Sequence, residues 1–209
     1  MRKANIQLIG AGSLGSYTAL SLVKRGFEEL SVWDDDVVEY HNRRNQMYRE
    51  EDIGRPKVEA LAELIRHLAG IEITVHNEKA AKDTEFRGIV IIMVDSMKVR
   101  KEIFEAVKYN PRVQLFVDGR SGGHEALVYA VNPIDSDAIN QYEKHLYSDE
   151  EAVDAPCSDQ TTLSTVETVA AVAASLVQLW SYGEFMPICT EVRISYNILP
   201  SVDSENFSL

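Results

Sequence analysis

Hydrophobic positions fall into short blocks whose period switches between two and about 3.6 residues. Ile6-Gln7-Leu8-Ile9 reads as a strand, and Leu14, Leu20, Leu22 and Val23 then recur at helical spacing until Gly26. Leu30–Trp33 is a second strand. Pro56 opens a helix to about Leu68, with Val58, Leu61, Leu64, Ile65 and Leu68 on one face. Ile71–Val75 alternates as a third strand, and Ile89–Val94 is the unbroken apolar run of a parallel strand covered on both faces. Lys98–Lys108 is helical, with Val99, Ile103, Phe104 and Val107 inward. Gln114–Asp118 and Ala126–Val131 lie too close together for an intervening helix, which predicts an antiparallel or edge pair. Residues 132–158 are polar and acidic and read as a long surface excursion. A hydrophobic helix from Thr165 to Trp180, a last strand from Thr190 to Asn197 and a frayed tail after Pro200 complete the chain.

Strands alternating with helices predict an α/β fold, a Rossmann-like doubly wound, mostly parallel sheet with an antiparallel C-terminal extension. At 209 residues and 45% hydrophobic content, one domain over residues 1–209 is expected. Its parts are a core over 1–131, a surface or crossover loop over 132–158, and a terminal helix and strand over 159–209. A formal charge of −12 excludes a general nucleic-acid or anionic-membrane surface. Two cysteines without a CxxC pair, Cys157 and Cys189, exclude a zinc site or disulfide framework. The first apolar run is too short for a secretion signal, and Val166–Trp180 is read as too short and too polar to span a bilayer. The expectation is a soluble cytoplasmic protein.

The chemistry begins at Gly10-Ala11-Gly12-Ser13-Leu14-Gly15, a G-x-G-x-x-G between strand and helix. Its glycines permit the tight turn, backbone approach to a phosphate, and close packing of helix on strand. Asp34, 19 residues beyond Gly15 and at the end of the second strand, stands where a carboxylate accepts hydrogen bonds from ribose hydroxyls. NAD and ATP sites read identically to this point. The next stretch separates them: Asp36, Asn42, Arg43, Arg44, Gln46, Arg55 and Lys57 bring amides and cations beside the ribose position. An NAD site neutralises its pyrophosphate mainly with backbone N–H groups, whereas a triphosphate needs side-chain donors.

This pattern resembles the ThiF/MoeB/HesA family, bacterial relatives of ubiquitin-activating enzymes. The resemblance is clear over residues 6–100 and looser to about Trp180. It implies an adenylyltransferase that uses ATP and Mg²⁺ to activate the C-terminal carboxylate of a small ubiquitin-like or sulfur-carrier protein or a peptide. It further implies a homodimer. By the family's motifs, Gly10, Gly12, Gly15, Asp34, Asp36, Asn42 and Gln46 bind nucleotide, Lys57 of Gly54-Arg55-Pro56-Lys57 meets phosphate, and Asp95 holds magnesium. Arg100 matches the arginine that follows that aspartate in the family.

Four departures accompany these matches. The family's arginine in N-L-x-R-Q is Asn45 here, so Arg43 and Arg44 are the candidates for its charge, and Arg44 joins Lys57, Asp95 and Cys157 as a catalytic expectation. The asparagine after the magnesium-linked aspartate is Ser96. The zinc cysteines are missing, and an N-terminal helical extension is not expected before Ile6. Cys157, before the hydrophobic helix, has two readings: an acyl-accepting thiol, as in the family, or a small core residue. Cys189 reads as core, Arg120 as a contact for a passing peptide tail, and His41 as a neighbour of the nucleotide. An NAD-dependent oxidoreductase and a non-catalytic binding module stand as the alternatives.

Overall fold

Strand order in the computed structural model is β3-β2-β1-β4-β5-β6-β7. It describes residues 4–122, 125–147, 160–184 and 189–195. The parallel half comprises β1 (Ile6–Ile9), β2 (Leu30–Trp33), β3 (Thr74–His76), β4 (Gly88–Ile92) and the start of β5 (Val113–Gly122). The switch to antiparallel pairing comes where β5 meets β6 (Glu125–Val131) and continues to β7 (Cys189–Ser195). The predicted fold class is therefore the observed one.

Strand alternation sorts the core into two layers. On one face Ile6 and Leu8 of β1, Ile89 and Ile91 of β4, and Leu115 and Val117 of β5 pack under three helices. These helices are α1 (Ser13–Lys24), α2 (Lys57–Ala69) and α5 (Gln160–Tyr182). On the other face Ile9, Val90, Ile92 and Phe116 pack under α3 (Met97–Val107) and α4 (Ser136–Glu143). All of β4 from Ile89 to Ile92 is fully buried. At about 1.5–3 kcal/mol for each large apolar side chain, this strand is a major source of cohesion.

Several boundaries differ from the sequence reading. The third strand begins at Thr74, because Ile71 and Ile73 lie before it as partly buried packing residues. The fourth ends at Ile92, two residues early. Pro56 is the N-cap of α2 rather than a first-turn residue, and Leu68 at its far end is exposed. The excursion from 132 contains α4: the Asp135 side chain accepts from the N–H groups of Asp137 and Ala138, both at 2.9 Å, and Ala138, Ile139 and Tyr142 are buried. Three apolar positions among acidic neighbours are too few to register as a period. The tail after Pro200 and the residues beyond Ser195 lie outside the described residues.

The terminal helix is longer than the apolar stretch suggested. By length and composition alone, Leu163–Tyr182 is long and apolar enough to cross a membrane. Its packing accounts for that composition: Val166, Val169, Ala173, Val177 and Trp180 are buried against the sheet and α1. At Gly119 of β5 an added Cβ would come within 2.3 Å of the Met93 sulfur and 2.7 Å of a Val169 methyl. Helix and sheet meet there with no room for a side chain.

Candidate nucleotide site

The C-terminal ends of β1, β2 and β4 lie side by side, and the strand order reverses direction between β1 and β4. Open α/β sheets bind ligands at this kind of switch point. The segment after β1 forms the floor. Gly10 has φ +97, and a Cβ there would lie 2.5 Å from the Met93 carbonyl oxygen. At Gly15 a Cβ would lie 1.9 Å from the Gly10 carbonyl oxygen, so helix and turn touch backbone to backbone. Gly12, the N-cap of α1, has open space where a Cβ would be. No side chain caps α1, and its first turn carries no acidic residue. The helix therefore offers free N–H groups and the positive end of its dipole to an anion.

Asp34 fastens the end of β2 to this floor. One carboxylate oxygen accepts the Ala11 N–H at 2.7 Å and the other accepts the Asp36 N–H at 2.9 Å. Burial raises its pKa, against the lowering effect of those two hydrogen bonds and of Lys57. The Tyr48 hydroxyl donates to the Ala11 carbonyl at 2.5 Å, and burial drives this phenol's pKa far up, leaving it a neutral donor.

Lys57 is the buried cation of the site. It is 7% exposed, its Nζ is 2.7 Å from Asp36, and its N–H donates to the Asp36 carbonyl at 2.9 Å. The segment before it folds back along β2's extension: the Gly54 N–H donates to the Val38 carbonyl at 2.8 Å, and Val37 bridges Pro56. Asp52, 1% exposed, locks this segment by accepting from Arg49 at 3.1 Å and Arg55 at 2.8 Å. Burial works to raise Asp52's pKa, and the hydrogen bonds and charges of the two arginines overrule it and hold it low. Glu63 of α2 takes the other ends of both arginines. Neither Asp52 nor Tyr48 was singled out from the sequence, although the Arg49, Asp52, Arg55 spacing of three is visible there.

Asn42 is buried, and its side-chain oxygen accepts the Glu39 N–H at 2.7 Å, closing a single 3-10 turn. The Gln46 side-chain oxygen is buried with no hydrogen-bond partner among the described residues. Arg43 stacks over Tyr40 at 4.3 Å and pairs with Glu50 at 3.1 Å, whereas Arg44 is exposed. Asn45 is buried, so this position presents no cation. Asp95 is exposed just beyond β4, and Ser96 caps α3 by accepting the Val99 N–H at 3.3 Å. Asp34, Asp35 and Asp36 hold carboxylate oxygens within 4.8 Å of one another, with Lys79 3.6 Å from Asp35 and Lys57 on Asp36.

Other expectations fare differently. His41 is exposed and 3.4 Å from Glu39. Cys189 is half-buried against the second core layer, and burial raises its thiol pKa. Cys157 lies outside the described residues. Arg120 is corrected: it is 7% exposed and paired with Asp118 at 2.7 Å, an internal ion pair instead of a surface contact for a peptide.

Fold and site together define a Rossmann-like α/β domain with its ligand-facing groups gathered at the topological switch point. The ThiF family model matches residues 1–186, and the chain belongs to the ThiF family. It is similar to the NEDD8-activating enzyme E1 catalytic subunit of Arabidopsis thaliana, at 36% identity over 104 residues, covering 47% of this chain and 23% of that protein. It is also similar to the sulfur carrier protein ThiS adenylyltransferase of Bacillus subtilis, at 28% identity over 115 residues, covering 51% of this chain and 34% of that one. The matched stretch thus spans only a quarter to a third of these relatives. Among solved structures, PaaA superposes with a TM-score of 0.73 at 18% identity, over 94% of this chain and 62% of that one. MccB of E. coli superposes with a TM-score of 0.71 at 17% identity, over 93% and 59%. These two likenesses are of fold.

Proposed function

We propose that the chain adenylates the C-terminal carboxylate of a small ubiquitin-like or sulfur-carrier protein, or of a peptide, using ATP and Mg²⁺. The observation that carries this reading is the buried Lys57, held on Asp36 and within electrostatic reach of Asp34, the carboxylate that is tied to the Ala11 N–H ahead of α1. A buried ammonium is costly unless an anion repays it, and an exposed aspartate repays it only in part. A triphosphate supplies the remainder, and an NAD pyrophosphate held by backbone N–H groups has no use for it. Family membership supports the reaction class, and MccB has been solved with ATP.

In this scheme Asp34 takes the ribose hydroxyls, and the Gly10–Gly15 turn seats the α-phosphate. Asn42 shapes the turn that carries Gln46, the second amide assigned to the nucleotide. Lys57 meets the distal phosphates, with Arg43 and Arg44 supplying the charge that Asn45 lacks. The exposed Asp95 carboxylate is the oxygen ligand that a hard divalent cation requires. Bound Mg²⁺ would neutralise phosphate charge. The substrate carboxylate is already ionised at pH 7, so its attack on the α-phosphorus needs alignment and positive charge and no general base. One P–O bond forms to the carboxylate, and the bond to pyrophosphate breaks. Cys157 is assigned to a later acyl transfer. The enzyme is taken to be a cytoplasmic homodimer.

The test is ATP–pyrophosphate exchange with a ubiquitin-fold carrier ending in a free glycine carboxylate, beside the same carrier ending in an amide. Exchange with the acid and none with the amide is expected. Exchange that ignores the terminus contradicts carboxylate activation, and Rossmann-type binding without any exchange favours the non-catalytic alternative.

A further inference from the structure

Behind Asp95 lies a buried cluster that the proposed chemistry does not use. Asp118 of β5 is fully buried. One of its oxygens pairs with Arg100 of α3. The other accepts from Arg120 at 2.8 Å and from the Tyr142 hydroxyl of α4 at 2.7 Å. The two hydrogen bonds to the second oxygen orient the carboxylate and leave the first oxygen facing the Arg100 guanidinium. Arg120 is fixed in turn by the His145 carbonyl at 2.7 Å and by the Tyr129 ring, whose centre is 4.8 Å away.

Arg100 is 3% exposed. Besides Asp118, its guanidinium donates to the Val94 carbonyl and lies 3.5 Å from the Gly119 carbonyl. The ladder between β4 and β5 ends at the Ile92–Asp118 pair, so Val94 stands beyond it. The backbone that presents Asp95 therefore leaves the sheet and is caught by Arg100. Burial pushes the Arg100 pKa down to about 10, which still leaves it charged at neutral pH.

We propose that Arg100 is a positioning residue for Asp95, aimed by a buried frame of Asp118, Arg120 and Tyr142. The assignment rests on the role given to Asp95 above. A lysine could keep the charge but not the fork, because only a guanidinium reaches the Val94 carbonyl and Asp118 together. The frame also ties α4, and with it the start of the polar segment, to the end of β4.

The test uses Arg100→Lys and Tyr142→Phe in the full chain, with two readouts. The first is amide hydrogen exchange at Asp95 and Ser96. The second is the Mg²⁺ concentration that half-saturates ATP binding, with AMP affinity as a control. In Arg100→Lys, exchange at Asp95 and Ser96 quickens while β1 is unchanged. The Mg²⁺ midpoint rises about tenfold, the loss usual for a partner one shell out from a metal, while AMP affinity holds. Tyr142→Phe moves both readouts the same way by less. Unchanged exchange in a folded Arg100→Lys overturns the proposal, as does AMP weakening equally with ATP. If Arg100→Lys unfolds, Tyr142→Phe decides alone, and unaltered exchange there is the contrary result. Exchange that responds in a protein that binds no ATP–Mg²⁺ leaves the positioning intact and removes the function assigned to Asp95.

Discussion

Lys57 shows how much one side chain can decide. In sequence it is the last residue of Gly54-Arg55-Pro56-Lys57, where a first-turn surface lysine is the ordinary expectation. In the structure it is buried against Asp36 and flanked by a locked segment. Removing it should therefore act on charge at the phosphates more than on the fold. Lys57→Ala is expected to weaken ATP binding by about ten- to a hundredfold, the scale of one charge-assisted hydrogen bond, and AMP binding by far less. Calorimetry on both nucleotides checks this, and equal losses would move Lys57 away from the distal phosphates. Gly10, Asp34 and Lys57 were legible in the sequence because each sits at a fixed offset from a strand or helix end. Asp118 and Arg120 were not: whether a charged residue ending a strand faces water or an ion pair depends on α3 and α4, which arrive from elsewhere in the chain.

The glycine turn and α1 act as one element, and their glycines do different work. At Gly15 a methyl group would strike the Gly10 carbonyl, whereas at Gly12 it would meet nothing. Gly15→Ala should cost about 2–3 kcal/mol of stability through overpacking, seen as a fall in Tm of several degrees. Gly12→Ala should leave Tm unchanged and lower nucleotide affinity at least about tenfold, since the added methyl occupies the space a phosphate approaches. Native-like nucleotide affinity in Gly12→Ala would place the phosphate elsewhere. At this scale the periodic elements read well from sequence, and β4 and α3 sit within two residues of expectation. The exception, α4, hides its three buried positions inside an acidic stretch whose composition outweighs its period. The terminal helix carries the opposite ambiguity, because a long apolar run reads alike for a core helix and a bilayer helix.

Across the whole molecule, charge and site oppose each other. The chain carries −12, yet the assigned ligand is anionic, so affinity must come from local donors: the start of α1, Lys57 and the arginines after β2. The topology makes this workable by bringing the ends of β1, β2 and β4 to one edge, so residues 10, 34 and 95 converge without any long loop. The most direct test of the account is calorimetric titration of the purified protein with ATP in Mg²⁺, set beside NAD and beside Asp95→Ala. The account predicts saturable ATP binding by the native chain, loss of its Mg²⁺-dependent part in a folded Asp95→Ala, and no heat from NAD. Saturable NAD binding with no response to ATP–Mg²⁺ would contradict it.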